Sequence, residues 1–218
     1  MSEDRTALFV YGGAAFHHPK ECADVFVPLL EGEGFNIQLT ESMDVFLDRD
    51  KINALSLIVH IRSLDQITDD QFSGLSAAVN AGVGLAGFHG GIIDAYRDHT
   101  GWQWLTGGQF VAHPGPCRTY TVNVTDTEHP IMQGMGDFVL EDTEQYWMHV
   151  DPGNHVLATT TFTGEYGGQP GVVMPYAWTR PWGDGRIFFA AWGHSPKDFD
   201  GAEAREIVKR GMAWAARA

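Results

Sequence analysis

Four histidines of this sequence lie at the ends of strand-like apolar runs or shortly after them: His18, His60, His89 and His194. An imidazole can transfer protons, hydrogen-bond a substrate oxygen or bind a metal ion. If the runs are strands of one parallel sheet, their carboxyl ends meet at a single edge. We therefore expect the four histidines to lie near one shared site, with the adjacent His17 pointing elsewhere.

The most informative of the four lies in Gly84-Leu-Ala-Gly-Phe-His-Gly-Gly91. Its spacing is typical of a nucleophile elbow, in which small neighbours let a strand turn sharply into a helix and expose the central side chain. The central residue here is His89, which is not the usual acyl nucleophile. The pattern favours proton transfer or metal ligation, although a glycine-rich loop with an incidental histidine would look the same.

Two further stretches carry candidate groups. Residues 141–147 place Glu144 and Tyr146 beside other carboxylates and a tryptophan, which predicts an acid/base and stacking patch; a solvated acidic turn would look similar. Residues 94–116 are rich in glycine and aromatic residues, which is typical of a lid or pocket wall rather than of a sheet element. Trp102 in this stretch could pack in the core or stack on a sugar.

The secondary structure around these groups is predicted from periodicity. Short apolar runs at 7–11, 35–40, 55–59 and 84–88 alternate with helical patterns, which predicts an α/β fold with a mostly parallel sheet. Further strands are predicted at 119–125 and 155–162, a hairpin at 172–178 and 185–191, and a packing helix from Ala202.

Composition limits the class of protein. A chain of 218 residues with 44% apolar residues fits one domain, which we expect to span residues 1–218. A formal net charge of −14 argues against nucleic-acid and anionic-membrane partners. Two cysteines without a C-x-x-C spacing, and an acidic N-terminal stretch unlike a signal peptide, favour a cytoplasmic location.

Taken together, the motifs resemble the trehalose-utilisation (ThuA-like) family. The resemblance covers nearly the whole chain and is carried by the 84–91 elbow and by the segments 16–18, 108–114, 128–134, 144–146 and 174–194. It implies a flavodoxin-like three-layer α/β sandwich related to class I glutamine amidotransferases. Those enzymes carry a cysteine at the elbow, where this chain has His89, so glutamine amidotransferase activity is not expected. Neither Cys22 nor Cys117 is placed to restore it.

The resemblance also implies a role in carbohydrate catabolism, with a sugar or keto-sugar as the small-molecule substrate of an isomerase, lyase or hydrolase type of reaction. The expected catalytic residues are His89, Glu144 and His194. The expected substrate contacts are His18, His60, Trp102, His113 and Tyr146. In a competing use of the same groups, His18, His89 and His194 bind a divalent metal such as zinc.

A non-catalytic alternative stays open at this point. A carbohydrate-binding or regulatory protein could keep the amidotransferase-like scaffold after losing its nucleophile. A homodimer is a reasonable expectation for either protein.

Overall fold

The fold is described for residues 5–167 and 169–217 of a computed structural model. The strands are β1 (Thr6–Gly13), β2 (Asn36–Thr40), β3 (Leu57–Ser63), β4 (Gly84–Phe88), β5 (Gly108–Ala112), β6 (Arg118–Val124), β7 (Phe138–Thr143), β8 (Trp147–Val150), β9 (His155–Thr161), β10 (Val173–Trp182) and β11 (Gly185–Ala190). The ends of the expected 1–218 domain, residues 1–4 and 218, lie outside the described residues, as does residue 168.

The helices are α1 (Pro19–Gly32), α2 (Arg49–Asn53), α3 (Asp69–Asn80), α4 (Gly90–Ile93), α5 (Thr100–Thr106) and α6 (Ala202–Ala215). Short 3-10 helices occur at Ala15–His17, Met43–Leu47, Glu165–Gly167 and Pro196–Phe199. Within the two described ranges, no helix is both long enough and apolar enough to cross a membrane.

Nine strands form one sheet in the order β2-β1-β3-β4-β11-β10-β9-β6-β7. The first five are parallel, and the last four extend the sheet in antiparallel pairings. The parallel part has the flavodoxin-like order: β2 pairs with one edge of β1, and the chain then crosses over so that β3 pairs with the other edge. The expected α/β fold with a mostly parallel core is therefore confirmed, and so is the predicted β10–β11 hairpin.

Local sequence explains why the helices flank this sheet. Thr68 caps α3 in a capping box with Gln71, as its position before two aspartates predicts. Helix α6 buries one apolar stripe that includes Ile207 and Val208, and it packs on β4, β11 and α1. These contacts hold the carboxyl ends of the parallel strands in a fixed relation to one another.

One sequence-based prediction fails, and one strand end that bears on the site differs from the prediction. The prediction that residues 94–116 contain no sheet element is wrong, because Gly108–Ala112 pairs antiparallel with Trp147–Val150. The third strand also runs to Ser63 rather than ending at Val59. This extension places His60 inside a buried strand instead of at its carboxyl end.

Candidate functional site

The elbow forms as the glycine spacing predicts, and it places His89 between β4 and α4. The backbone at His89 has φ 48° and ψ −140°, a conformation that residues with a Cβ rarely adopt. A Cβ added at Gly87 would collide with the His60 carbonyl, and one at Gly91 would lie 2.9 Å from the Ile61 Cα. The glycines are therefore needed because the elbow lies directly against β3.

Four side chains converge at the carboxyl edge of the sheet: His17, His89, Glu144 and His194. Each side chain offers one atom that could bind a metal ion, and these four atoms all lie within 4.8 Å of one another. His17 and His89 are buried, and the other two are partly buried. We call this group the His3Glu cluster.

Both ring nitrogens of His89 face oxygen acceptors. Nδ1 lies 3.0 Å from the carbonyl oxygen of Ala191, and Nε2 lies 3.2 Å from Glu144 Oε2. A carbonyl oxygen can only accept, so Nδ1 carries a proton and donates it. Nε2 then needs either a second proton or a cation shared with the Glu144 carboxylate.

Glu144 is held at the cluster through its backbone. Its carbonyl oxygen accepts hydrogen bonds from the hydroxyls of Tyr120 at 2.8 Å and Tyr176 at 3.3 Å, both buried. The Tyr176 hydroxyl also accepts the Tyr146 N–H at 3.1 Å. A β-bulge in β10 at Tyr176 breaks the strand register there. The carboxylate is thus presented by a rigid, buried tyrosine pair.

A buried carboxylate fixes the segment that carries His194. Asp198 Oδ2 accepts the N–H groups of Gly193 at 3.0 Å and His194 at 2.9 Å, and the Thr143 hydroxyl at 2.8 Å. It therefore ties the loop after β11 to the residue that precedes Glu144. The Nδ1 atom of His194 lies 3.3 Å from Glu144 Oε2, and among the described residues this buried nitrogen has no hydrogen-bond partner.

His17, rather than His18, joins the cluster, which corrects the sequence-based expectation for this pair. His17 Nδ1 lies 2.6 Å from the Ser63 hydroxyl, which leaves Nε2 for the cluster. His18 is exposed, with a left-handed backbone at φ 46° that separates the 3-10 helix from α1. That turn directs the two neighbouring side chains to opposite sides.

The electrostatics of the cluster follow from burial and from charge pairing. Burial, followed by the nearby His89 and His194, lowers the pKa of His17 to about 3, so its ring is neutral at neutral pH. Burial would raise the pKa of Glu144, but the imidazoles of His194 and His89 outweigh it and hold that pKa well below its usual range. The Glu144 carboxylate in turn raises the pKa of His194.

Two predicted substrate contacts lie behind the elbow instead of at the cluster. His60 is fully buried, donates from Nδ1 to the Gly91 carbonyl and accepts the Tyr96 hydroxyl at 2.8 Å. Trp102 is buried and donates its indole N–H to the Ile92 carbonyl at 2.6 Å. Both side chains therefore support α4, because each binds a backbone carbonyl of that helix.

The other two predicted contacts lie against the cluster. Tyr146 is buried and stacks on the His89 ring, with centroids 4.0 Å apart, so it orients that imidazole. His113 Nε2 lies 3.4 Å from Glu144 Oε1, and its side chain is 44% exposed. His113 is thus an accessible imidazole beside a partly buried carboxylate.

The donor set fits a divalent metal such as zinc. A tetrahedral site with bonds of about 2.0–2.1 Å separates its ligand atoms by about 3.4 Å. The His89–Glu144 and His194–Glu144 distances of 3.2 and 3.3 Å are close to this separation. A cation would also satisfy the two nitrogens that face the carboxylate, while Ala191 and Ser63 fix the outer nitrogens of His89 and His17.

Comparison with known proteins shows the family of this chain. A family model described as ThuA, trehalose utilisation, matches residues 6–215. The chain belongs to the ThuA family. A search of curated proteins gave no match.

Solved structures similar to this ThuA protein share its fold. A putative ThuA-like protein from Bacteroides uniformis aligns with a TM-score of 0.79 at 19% identity, covering 98% of this chain and 91% of that one. One from Parabacteroides merdae aligns with a TM-score of 0.80 at 18% identity, covering 97% and 90%. A putative GMP synthase component from Thermoplasma acidophilum aligns with a TM-score of 0.60 at 12% identity, covering 98% and 94%.

Proposed function

We propose that this ThuA protein is a metal-dependent enzyme that acts on a keto-sugar, at the C–H bond next to the ketone. The observation that carries the proposal is the convergence of three imidazoles and one carboxylate, with a buried His194 nitrogen that lacks a hydrogen-bond partner among the described residues. The family's description, trehalose utilisation, supports a carbohydrate as the substrate class.

The four cluster residues would hold the metal ion. A bound divalent cation would act as a Lewis acid towards the ketone oxygen and so make the neighbouring C–H bond more acidic. Tyr146 keeps the His89 ring in the orientation that ligation needs, because the two rings stack. The tyrosine pair that holds the Glu144 backbone does the same for the carboxylate.

His113 is the group we assign to proton transfer. It is accessible at the edge of the cluster and is not one of the four proposed ligands. Its neighbour Glu144 can stabilise the imidazolium that forms when His113 takes the substrate proton. Return of that proton to the former ketone carbon, with the proton of the neighbouring hydroxyl moving to the former ketone oxygen, gives an isomerisation. Delivery of it to a departing oxygen substituent gives an elimination.

Proton exchange tests this assignment without requiring the natural product to be known. Metal-loaded protein and a keto-glucose are mixed in deuterated water, and loss of the C–H signal is followed by NMR. We expect exchange with the wild-type protein and a rate about 100-fold lower for His113→Gln, with unchanged metal content. The matched control is His18→Gln, which changes an exposed histidine outside the cluster.

Two results would contradict the proposal. One is exchange that survives both a chelator and the Glu144→Gln substitution. The other is sugar binding without any exchange in the metal-loaded wild type, which would favour a non-catalytic carbohydrate-binding protein.

A further inference from the structure

A concave region lies on chain segments that adjoin the His3Glu cluster. A cavity of about 750 Å³ opens at the carboxyl ends of β1 and β3 and is also lined by Glu41, which follows β2. In the sheet order, β2 and β3 lie on opposite sides of β1. The cavity is therefore at the topological switch point, where ligands of open α/β sheets bind. We call it the switch-point cavity.

The cavity and the cluster share two segments of chain. The loop after β1 lines the cavity with Ala14 and Ala15 and then carries His17 into the cluster. The end of β3 lines it with Arg62 and Leu64, while Ser63 between them bonds to His17. The cavity and the cluster therefore lie on either side of the same short loop and the same strand end.

The lining is held in a defined geometry. Arg62 donates from Nη1 to the Tyr11 carbonyl at 3.0 Å and to the Glu41 carbonyl at 2.8 Å, and it pairs with Asp65. The Tyr11 hydroxyl donates to Glu41 Oε1 at 3.0 Å. These contacts bridge the ends of β1, β2 and β3, so the cavity is formed before a ligand arrives.

The chemistry of the lining favours a neutral, hydroxyl-rich ligand. Two cationic side chains, Lys20 and Arg62, face three carboxylates, those of Glu21, Glu41 and Asp65. The carboxylates outnumber the cations, which disfavours a phosphate or another polyanion. Hydroxyl groups both donate and accept, so a sugar ring can use carboxylates and cations side by side.

We propose that the switch-point cavity binds the non-reacting ring of a neutral disaccharide whose other ring lies at the His3Glu cluster. This inference rests on the proposed function, because it takes the cluster as the place of reaction. Glu41 accepts hydroxyl hydrogens from that ring, and Tyr11 orients Glu41.

Calorimetric titration of metal-loaded protein with trehalose and with glucose tests the inference. We expect trehalose to bind more tightly than glucose, and Glu41→Gln to weaken trehalose binding about tenfold because it removes a charge-assisted acceptor. Tyr11→Phe should have a smaller effect in the same direction. The control Glu31→Gln makes the same charge change on an exposed residue in the last turn of α1 and should leave the affinity unchanged.

The inference is overturned if trehalose does not bind, if it binds no better than glucose, or if Glu41→Gln and Tyr11→Phe leave its affinity unchanged. Its failure is distinguishable from failure of the proposed function. If the protein binds metal and exchanges the proton, but Glu41→Gln and Tyr11→Phe bind trehalose as the wild type does, only the role of the cavity is excluded. If these variants bind trehalose more weakly but the protein holds no metal, only the proposed reaction is excluded.

Discussion

Replacing His89 with glycine or with alanine should affect stability differently, although both changes remove the same imidazole. Either variant loses the contacts to Glu144 and to the Ala191 carbonyl. Only glycine adopts φ 48° and ψ −140° without a steric cost, because it lacks a Cβ. The difference between the two variants therefore isolates the backbone strain at the elbow.

The expected size of this difference follows from two opposing effects. A non-glycine residue in a sparsely populated backbone conformation costs about 1–3 kcal/mol. The glycine variant loses about 0.4–1 kcal/mol of this advantage, because its unfolded chain has more conformational freedom than that of the alanine variant. We expect His89→Gly to be more stable than His89→Ala by about 1 kcal/mol.

Urea unfolding of the metal-free proteins, followed by tryptophan fluorescence, measures this difference. A matched pair at Val139, an exposed residue of the edge strand β7, serves as the control. There the alanine variant should be the more stable one, because glycine weakens a strand. If His89→Ala proves as stable as His89→Gly or more so, the elbow is not strained in solution and the argument fails.

Two other predictions concern groups behind the cluster. Asp198→Asn should lower zinc affinity about 10–100-fold in a competition titration, because it weakens the contacts that position His194. The exposed control Asp200→Asn should leave the affinity unchanged. Equal zinc affinities of the two variants would contradict this role of Asp198. Burial lowers the pKa of His60 from 6.5 to about 4. As the pH falls from 6.5 to about 4, the unfolded state therefore binds a proton at His60 and the folded state does not. The protein should lose about 3 kcal/mol of stability there, and this part of the slope should be missing in His60→Gln; parallel stability curves would refute it.

Much of the fold follows from local sequence signals. The short apolar runs with β-branched and aromatic residues predict the parallel strands, and glycine spacing predicts the elbow at His89. The strand-end rule also places His89 and His194 at one edge, where the structure brings them together with Glu144.

The rest depends on contacts between distant parts of the chain. The choice between His17 and His18 is made by the left-handed turn at His18 and by Ser63, which lies 46 positions from His17 in sequence. No local pattern carries that information. The pairing of β5 with β8 is likewise non-local, and β5, which starts at Gly108 directly after Gly107, resembles a loop when read alone.

Metal content decides whether the His3Glu cluster is a metal centre. Protein purified without added metal or chelator is analysed for zinc, manganese and nickel, alongside Glu144→Gln and the exposed control Glu141→Gln. We expect about one equivalent of a divalent metal in the wild type and in the control, and its loss in Glu144→Gln. A wild-type protein that neither contains nor takes up such an ion, or a Glu144→Gln protein that retains it, would contradict a metal-centred reaction at the His3Glu cluster.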